Sequence, residues 1–131
     1  MRASVNTYLL TCVTQQRRAH FTLYAAPIAM DALHYYAGKG HYDLHAAVIM
    51  PDHLHALITP IQAIERCAGL IKGGISGRLR KQIPGTFWQD GYDDRRILDD
   101  QQFVTAVEYI RRNPERRGLR DWEFMFVRPR G

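Results

Sequence analysis

Residues 42 to 60, YDLHAAVIMPDHLHALITP, constrain the fold of this chain more than any other stretch. Two apolar runs of strand length flank Pro51-Asp52. Proline fixes its own φ there, and aspartate tolerates the tight reversal. The pattern predicts strands over 42–50 and 53–59, joined as an antiparallel hairpin. Successive side chains of a strand alternate between its faces, so His53 and His55 share one surface as neighbours.

The other segments attach to this hairpin in a regular order. VNTYLLTCV at 5–13 has strand-forming composition and runs into a basic extension, QQRRAH. PIAMDALHYYA at 27–37 repeats apolar residues at helical spacing until Gly38-Lys39-Gly40 stops it. Ile64, Ala68, Ile71, Ile75 and Leu79 mark an amphipathic helix of about five turns, ended by Pro84-Gly85. Gly73, Gly74 and Gly77 weaken its second half by roughly 1 kcal/mol each relative to alanine. TFWQDGYDDRRIL at 86–98 reads as a fourth strand. A last helix over 101–113 carries the stripe Phe103, Ala106, Val107 and Ile110, with Asp99 or Asp100 as cap and termination at Pro114 and Gly118. The tail 120–130 either adds an edge strand or packs over the sheet. The order β-α-β-β-α-β-α predicts an α+β protein, a ferredoxin-like antiparallel sheet with helices packed on one face, as a single domain over 1–131.

Composition narrows the partners. Two cysteines, Cys12 and Cys67, make no disulfide framework and read as buried thiols of a reducing compartment. The most apolar stretch, 44–64, holds Pro51, Asp52 and two histidines, so no segment is expected to span a membrane. No signal-type apolar region follows Met1-Arg2, which points to the cytoplasm. The net charge is +5, and fifteen of the 18 basic residues are arginine. Solubility needs no such bias, whereas planar guanidinium forks suit phosphate and stacked bases. Nucleic acid is therefore the first partner to consider.

Two side-chain sets carry candidate chemistry. Tyr109 and Asn113 are four apart, so they stack one turn above the other at the rim of the last helix's apolar stripe. Alone, they read sooner as a boundary tyrosine and a helix-ending asparagine. His53 and His55 alone are more often ordinary strand histidines than a metal site. No HExxH or CxxC spacing supplies a third zinc ligand. Two imidazoles with one carboxamide oxygen suit Mg²⁺ or Mn²⁺, whose other positions are water and phosphate. His20, His34, His41 and His45 have no comparable spacing and read as structural or solvated.

VIMPDHLHALI, FWQDGYDD and YIRRNPERRGL, in that order, resemble the REP-associated tyrosine transposases, a branch of the HUH-type single-strand DNA nucleases. TYLLTCVTQQRRAHF is similar to that family's first strand and basic extension, so the resemblance covers nearly the whole chain. It implies that His53, His55 and Asn113 hold a divalent cation, Mg²⁺ or Mn²⁺. It implies that Tyr109 attacks a DNA phosphate, leaving a 5′-phosphotyrosine link and a free 3′-hydroxyl. Cleavage and rejoining would then be two reversible halves of one transfer. A free phenol ionises near pH 10, so a neighbour must help take its proton. The implied substrate is hairpin DNA with single-stranded flanks, from repetitive palindromic elements.

DNA grip is expected from Arg17 and Arg18, from Lys72, Arg78, Arg80 and Lys81, and from Arg112, Arg116 and Arg117. Trp88 and Tyr92 are candidate stacking platforms; Trp88, with Phe87, reads equally well as core. Two features depart from the family pattern. Relatives often carry a histidine near the position of Arg95, and EFMFVRPRG lacks their Trp-Ser-Ser ending. The competing reading is a metal-free, non-catalytic binder of single-stranded nucleic acid on the same scaffold. A third is a metallohydrolase that activates water. A monomer is expected over a homodimer.

Overall fold

The computed structural model describes residues 6–129. Val5 of the expected first strand and Arg130 of the expected tail lie outside the described residues. Five strands, β1 (Thr7–Val13), β2 (Tyr42–Met50), β3 (His53–Pro60), β4 (Asp93–Ile97) and β5 (Met125–Val127), form one sheet in the order β4-β1-β3-β2-β5. Every pairing is antiparallel. The first four strands carry the ferredoxin-like order, and β5 extends the sheet beside β2. The tail thus supplies an edge strand.

Three helices cover the sheet: α1 (Ala25–Gly38), α2 (Ile64–Arg78) and α3 (Asp100–Arg116). The expected class holds, but one expectation is corrected: the helices do not share a face. Leu10, Cys12, Leu44, Ile49, Leu54 and Ile58 pack with α1 and α2. Leu9, Val48, Met50 and Leu57, the neighbours on the opposite face, pack with Ala106 and Ile110 of α3. The central strands are apolar on both faces, so each face must be covered to remove it from water.

Local signals explain the boundaries. The Asp99 side chain accepts from the Gln102 backbone N–H at 2.8 Å, capping α3 at its start. The helix passes Pro114 and ends at Arg116, later than expected, because a proline in the last turn forfeits little of the hydrogen-bond ladder. Gly118, with φ 75°, makes the left-handed exit beyond it. The expected strand over 86–98 contracts to Asp93–Ile97. Gly91 breaks the extended run with φ 76°, and Phe87 and Trp88 turn into the α1–α2 core instead.

After β1 the chain makes a short 3₁₀ turn, Gln15–Arg17, in which Gln16 (φ 55°) and Arg17 (φ 52°) are both left-handed. Each such non-glycine residue costs about 1–2 kcal/mol. The surrounding bonds offset this. The Thr14 hydroxyl lies 2.6 Å from the Arg18 carbonyl and 3.0 Å from that of Asp52, which the Thr14 N–H also reaches at 3.0 Å.

Candidate active site

The face covered by α3 carries the odd-numbered residues of β3. His53 and His55 emerge there as the sequence predicts, with ring centroids 4.7 Å apart. They lie near the end of the sheet, where the hairpin turn and the strand extensions meet. Both rings are nearly buried, at 4% and 6% exposure.

Each imidazole is tied at Nδ1. His55 Nδ1 lies 2.8 Å from the Thr11 hydroxyl of β1, its partner in register. His53 Nδ1 lies 2.7 Å from Asp52 Oδ1. A carboxylate accepts, so His53 Nδ1 donates and Nε2 keeps its lone pair. Burial lowers the basicity of both rings. His55 is pushed down to about 3 by desolvation, with His53 and Arg117 adding to it. His53 is lowered by desolvation too, against the upward pull of Asp52. For Asp52, burial acts upward, but the His53 hydrogen bond and the charges of His53, Arg17 and Arg117 hold the carboxyl below its ordinary range.

Helix α3 brings the other two residues. Tyr109 packs its ring edge-on to His55, with centroids 5.1 Å apart, and stays 38% exposed. Arg116 sits over the tyrosine ring, 5.8 Å from its centroid, a cation–π contact. Asn113, one turn further along the same side of α3, is buried at 6% exposure. Two buried polar atoms find no protein partner at this place: His55 Nε2 and Asn113 Oδ1. Asn113 Oδ1 is a lone-pair acceptor, and His55 Nε2 is one in the tautomer whose Nδ1–H donates to the Thr11 hydroxyl. Leaving such an atom dry costs about 1–3 kcal/mol, and a bound cation is one group that would satisfy it. Among the described residues, no three of His, Cys, Asp and Glu gather as a metal cluster. A cation held beside these imidazoles would have to take any further protein donor from outside those four residue types, and the Asn113 amide is a candidate.

The expected DNA contacts divide between the two faces. Arg17, Arg116 and Arg117 stand around the histidines: Arg17 Nε is 3.2 Å and Arg117 3.9 Å from Asp52 Oδ2. Arg112 is on α3 as well, paired with Glu108 at 3.5 Å. Arg18 bonds Gln16 at 2.9 Å. Lys72, Arg78, Arg80, Lys81, Trp88 and Tyr92 belong to α2 or to segments packed with it, on the other face of the sheet. Lys72 is committed to the carbonyls of Gln89 and Gly91, at 3.1 and 2.6 Å. Trp88 is a core residue whose indole donates to the Lys72 carbonyl at 2.8 Å, so it offers no free stacking face. Tyr92 packs half-buried against the same core.

Sequence reasoning missed Thr11 and Asp52. Thr11 looks like any strand threonine until the register sets it opposite His55. Asp52 reads as a turn residue only. Arg95 pairs with Leu9 and Asp93 with Thr11, so both lie on the face that carries the histidines. His45 is structural: it sits at the β2 irregularity and bonds the Thr59 hydroxyl at 2.7 Å, which in turn bonds Thr7 at 2.6 Å. His20 rests on Phe87, His34 on Phe126, and His41 accepts from Gln62.

A family model described as "Transposase IS200 like" matches residues 3–113. The chain belongs to the IS200-like transposase family. Its fold is similar to a REP-associated tyrosine transposase solved bound to a REP hairpin, with a TM-score of 0.78 at 20% identity over 92% of this chain and 75% of that one. It is also similar to a Deinococcus radiodurans protein assigned provisionally as a transposase, with a TM-score of 0.65 at 22% identity over 84% of this chain and 92% of the other. Comparison with curated proteins returns no match. No described helix of this transposase-family chain is long and apolar enough to cross a membrane.

Proposed function

We propose that this protein cuts and rejoins single-stranded DNA, using Tyr109 as nucleophile and a divalent cation, Mg²⁺ or Mn²⁺, held by His53, His55 and Asn113. The observation that carries the reading is the pair of buried, partnerless acceptors, His55 Nε2 and Asn113 Oδ1, beside a half-exposed tyrosine. When bound, the cation polarises the scissile phosphate as a Lewis acid.

The chain's own residues do the rest. Asp52 fixes the His53 ring with its Nε2 lone pair free, and Thr11, accepting from His55 Nδ1–H, would leave His55 Nε2 free in the same way. The low basicity of His55 keeps it neutral, and hence a ligand, across the physiological range. Tyr109 Oη gives up its proton and attacks phosphorus, the phosphate–3′-oxygen bond breaks, and the leaving 3′-oxygen takes up a proton in its place, so none is gained or lost overall. The phosphate passes to the phenol oxygen as a 5′-phosphotyrosine, and the reverse attack by a 3′-hydroxyl rejoins the strand. Arg116, Arg117 and Arg17 supply positive charge around the transferring phosphate.

Hairpin DNA with single-stranded flanks is the substrate we propose, supported by family membership and by the hairpin bound to the REP-associated relative. We propose that the protein acts as a monomer in the cytoplasm, where such DNA is accessible. The test is a denaturing gel of protein mixed with labelled hairpin DNA. A covalent adduct should form with Mn²⁺ and vanish with chelator or with Tyr109→Phe. Retarded DNA on a native gel with no adduct under any condition would favour the non-catalytic binder. Phosphodiester cleavage without an adduct would favour a water-activating hydrolase.

A further inference from the structure

Asp52 closes the β2–β3 turn, and its carboxylate is a junction between three parts of the chain. Oδ1 accepts from His53 Nδ1 at 2.7 Å. Oδ2 lies 3.2 Å from Arg17 Nε, in the left-handed turn after β1, and 3.9 Å from Arg117, at the end of α3. The Asp52 side chain is 14% exposed, whereas those of Arg17 and Arg117 are 53% and 51% exposed. The carboxylate is therefore enclosed while both arginine side chains stay half exposed. An aspartate adjacent in sequence to a histidine can ordinarily rotate away from it. Here that motion would break two ion pairs, and the backbone turn that presents Arg17 is itself locked by Thr14 against Asp52.

We propose that Asp52 is a positioning residue for the metal site. Its hydrogen bond holds His53 as the Nδ1–H tautomer with Nε2 as donor, and Arg17 and Arg117 keep the carboxylate in that pose. The exposed parts of the two arginines would then be available to a DNA phosphodiester bound beside the site. Both carboxylate oxygens are occupied, so Asp52 acts through His53 and is not itself a ligand. A carboxylate behind a ligating imidazole fixes its tautomer and raises its donor strength. This inference rests on the metal-site reading above.

The test uses the full chain stripped with chelator and titrated with Mn²⁺, free ion being counted by electron paramagnetic resonance. The His53 ring nitrogens are followed by ¹⁵N NMR. Asp52→Ala should weaken Mn²⁺ binding by about 10- to 100-fold, and the His53 ring should lose its single Nδ1–H signature. Asp52→Asn keeps an oxygen acceptor without the charge and should lose less. His53→Ala should lose binding altogether. If Asp52→Ala binds Mn²⁺ like the parent while His53→Ala does not, the positioning role is overturned and the metal site stands. If the parent binds no Mn²⁺, both fall. Should Asp52→Ala fail to fold, Asp52→Asn decides: weakened binding in a folded variant supports the role, and parental affinity with unchanged ring signals overturns it.

Discussion

Replacing Asn113 with leucine separates a functional amide from a structural one. Asn113 is buried at 6% exposure with an Oδ1 that meets no protein donor, and a buried acceptor in that condition costs about 1–3 kcal/mol. Leucine keeps the same branched outline without the polar atoms. In chelator, Asn113→Leu should therefore unfold at the parental temperature or above it, with a gain of about 1 kcal/mol. Mn²⁺ should reverse the order. At a hundred times its Kd the ion stabilises the parent by about 2.7 kcal/mol. For a domain of this length each kcal/mol moves Tm by about 3–4 °C, so the parent should gain about 10 °C. A variant binding a hundredfold more weakly retains about 0.4 kcal/mol at the same Mn²⁺, a rise of 1–2 °C at most. Differential scanning calorimetry with and without Mn²⁺ reads both effects. A loss of more than about 2 kcal/mol in chelator together with an undiminished Mn²⁺ shift would refute the reasoning, because Asn113 would then be a packing residue.

Other outcomes follow from the same geometry. Thr11→Val removes the hydroxyl at His55 Nδ1 and should weaken Mn²⁺ binding about tenfold, with about 1 kcal/mol lost in urea unfolding. A Cβ on Gly74 would run into the hydroxyl end of the Tyr36 ring, so Gly74→Ala must displace that ring and should be destabilising. Gly73 faces open space in the same helix, and Gly73→Ala should instead gain about 0.5–1 kcal/mol; equal melting temperatures for the two would contradict this. His55 titrates at about 3 when folded and near 6.5 when unfolded, so between those values the unfolded state binds the extra proton. Metal-free stability should be intact above about pH 6.5 and fall toward pH 3, by up to about 1.4 kcal/mol per unit from this group. A flat pH profile of urea unfolding in chelator would count against it.

The hairpin was legible because two uninterrupted apolar runs and a Pro-Asp turn leave few alternatives. The α3 stripe was legible for the same reason of period, yet a stripe does not say which face of a sheet it meets. The clue lay in β2, where Ala46 to Met50 are all buried. A strand with no polar alternation demands cover on both sides, and α3 provides the second cover. The fourth strand was overextended because Phe87 and Trp88 have strand-forming side chains but reach the core from a loop. The candidate site was legible as far as His53, His55, Tyr109 and Asn113, whose residue types suit the proposed chemistry. Thr11 and Asp52 were not, since their roles arise from strand register and from ion pairs between segments distant in sequence. The same holds for the basic residues: the chain shows that they are arginines, but only the fold separates Arg17 and Arg117 from Arg78 and Arg80.

An anomalous difference map from a Mn²⁺-soaked crystal addresses the central claim most directly. One strong peak should lie within coordination distance of His53 Nε2, His55 Nε2 and Asn113 Oδ1, with Tyr109 beside it. A map with no peak among these three side chains at saturating Mn²⁺, or with the ion bound elsewhere, would contradict the account.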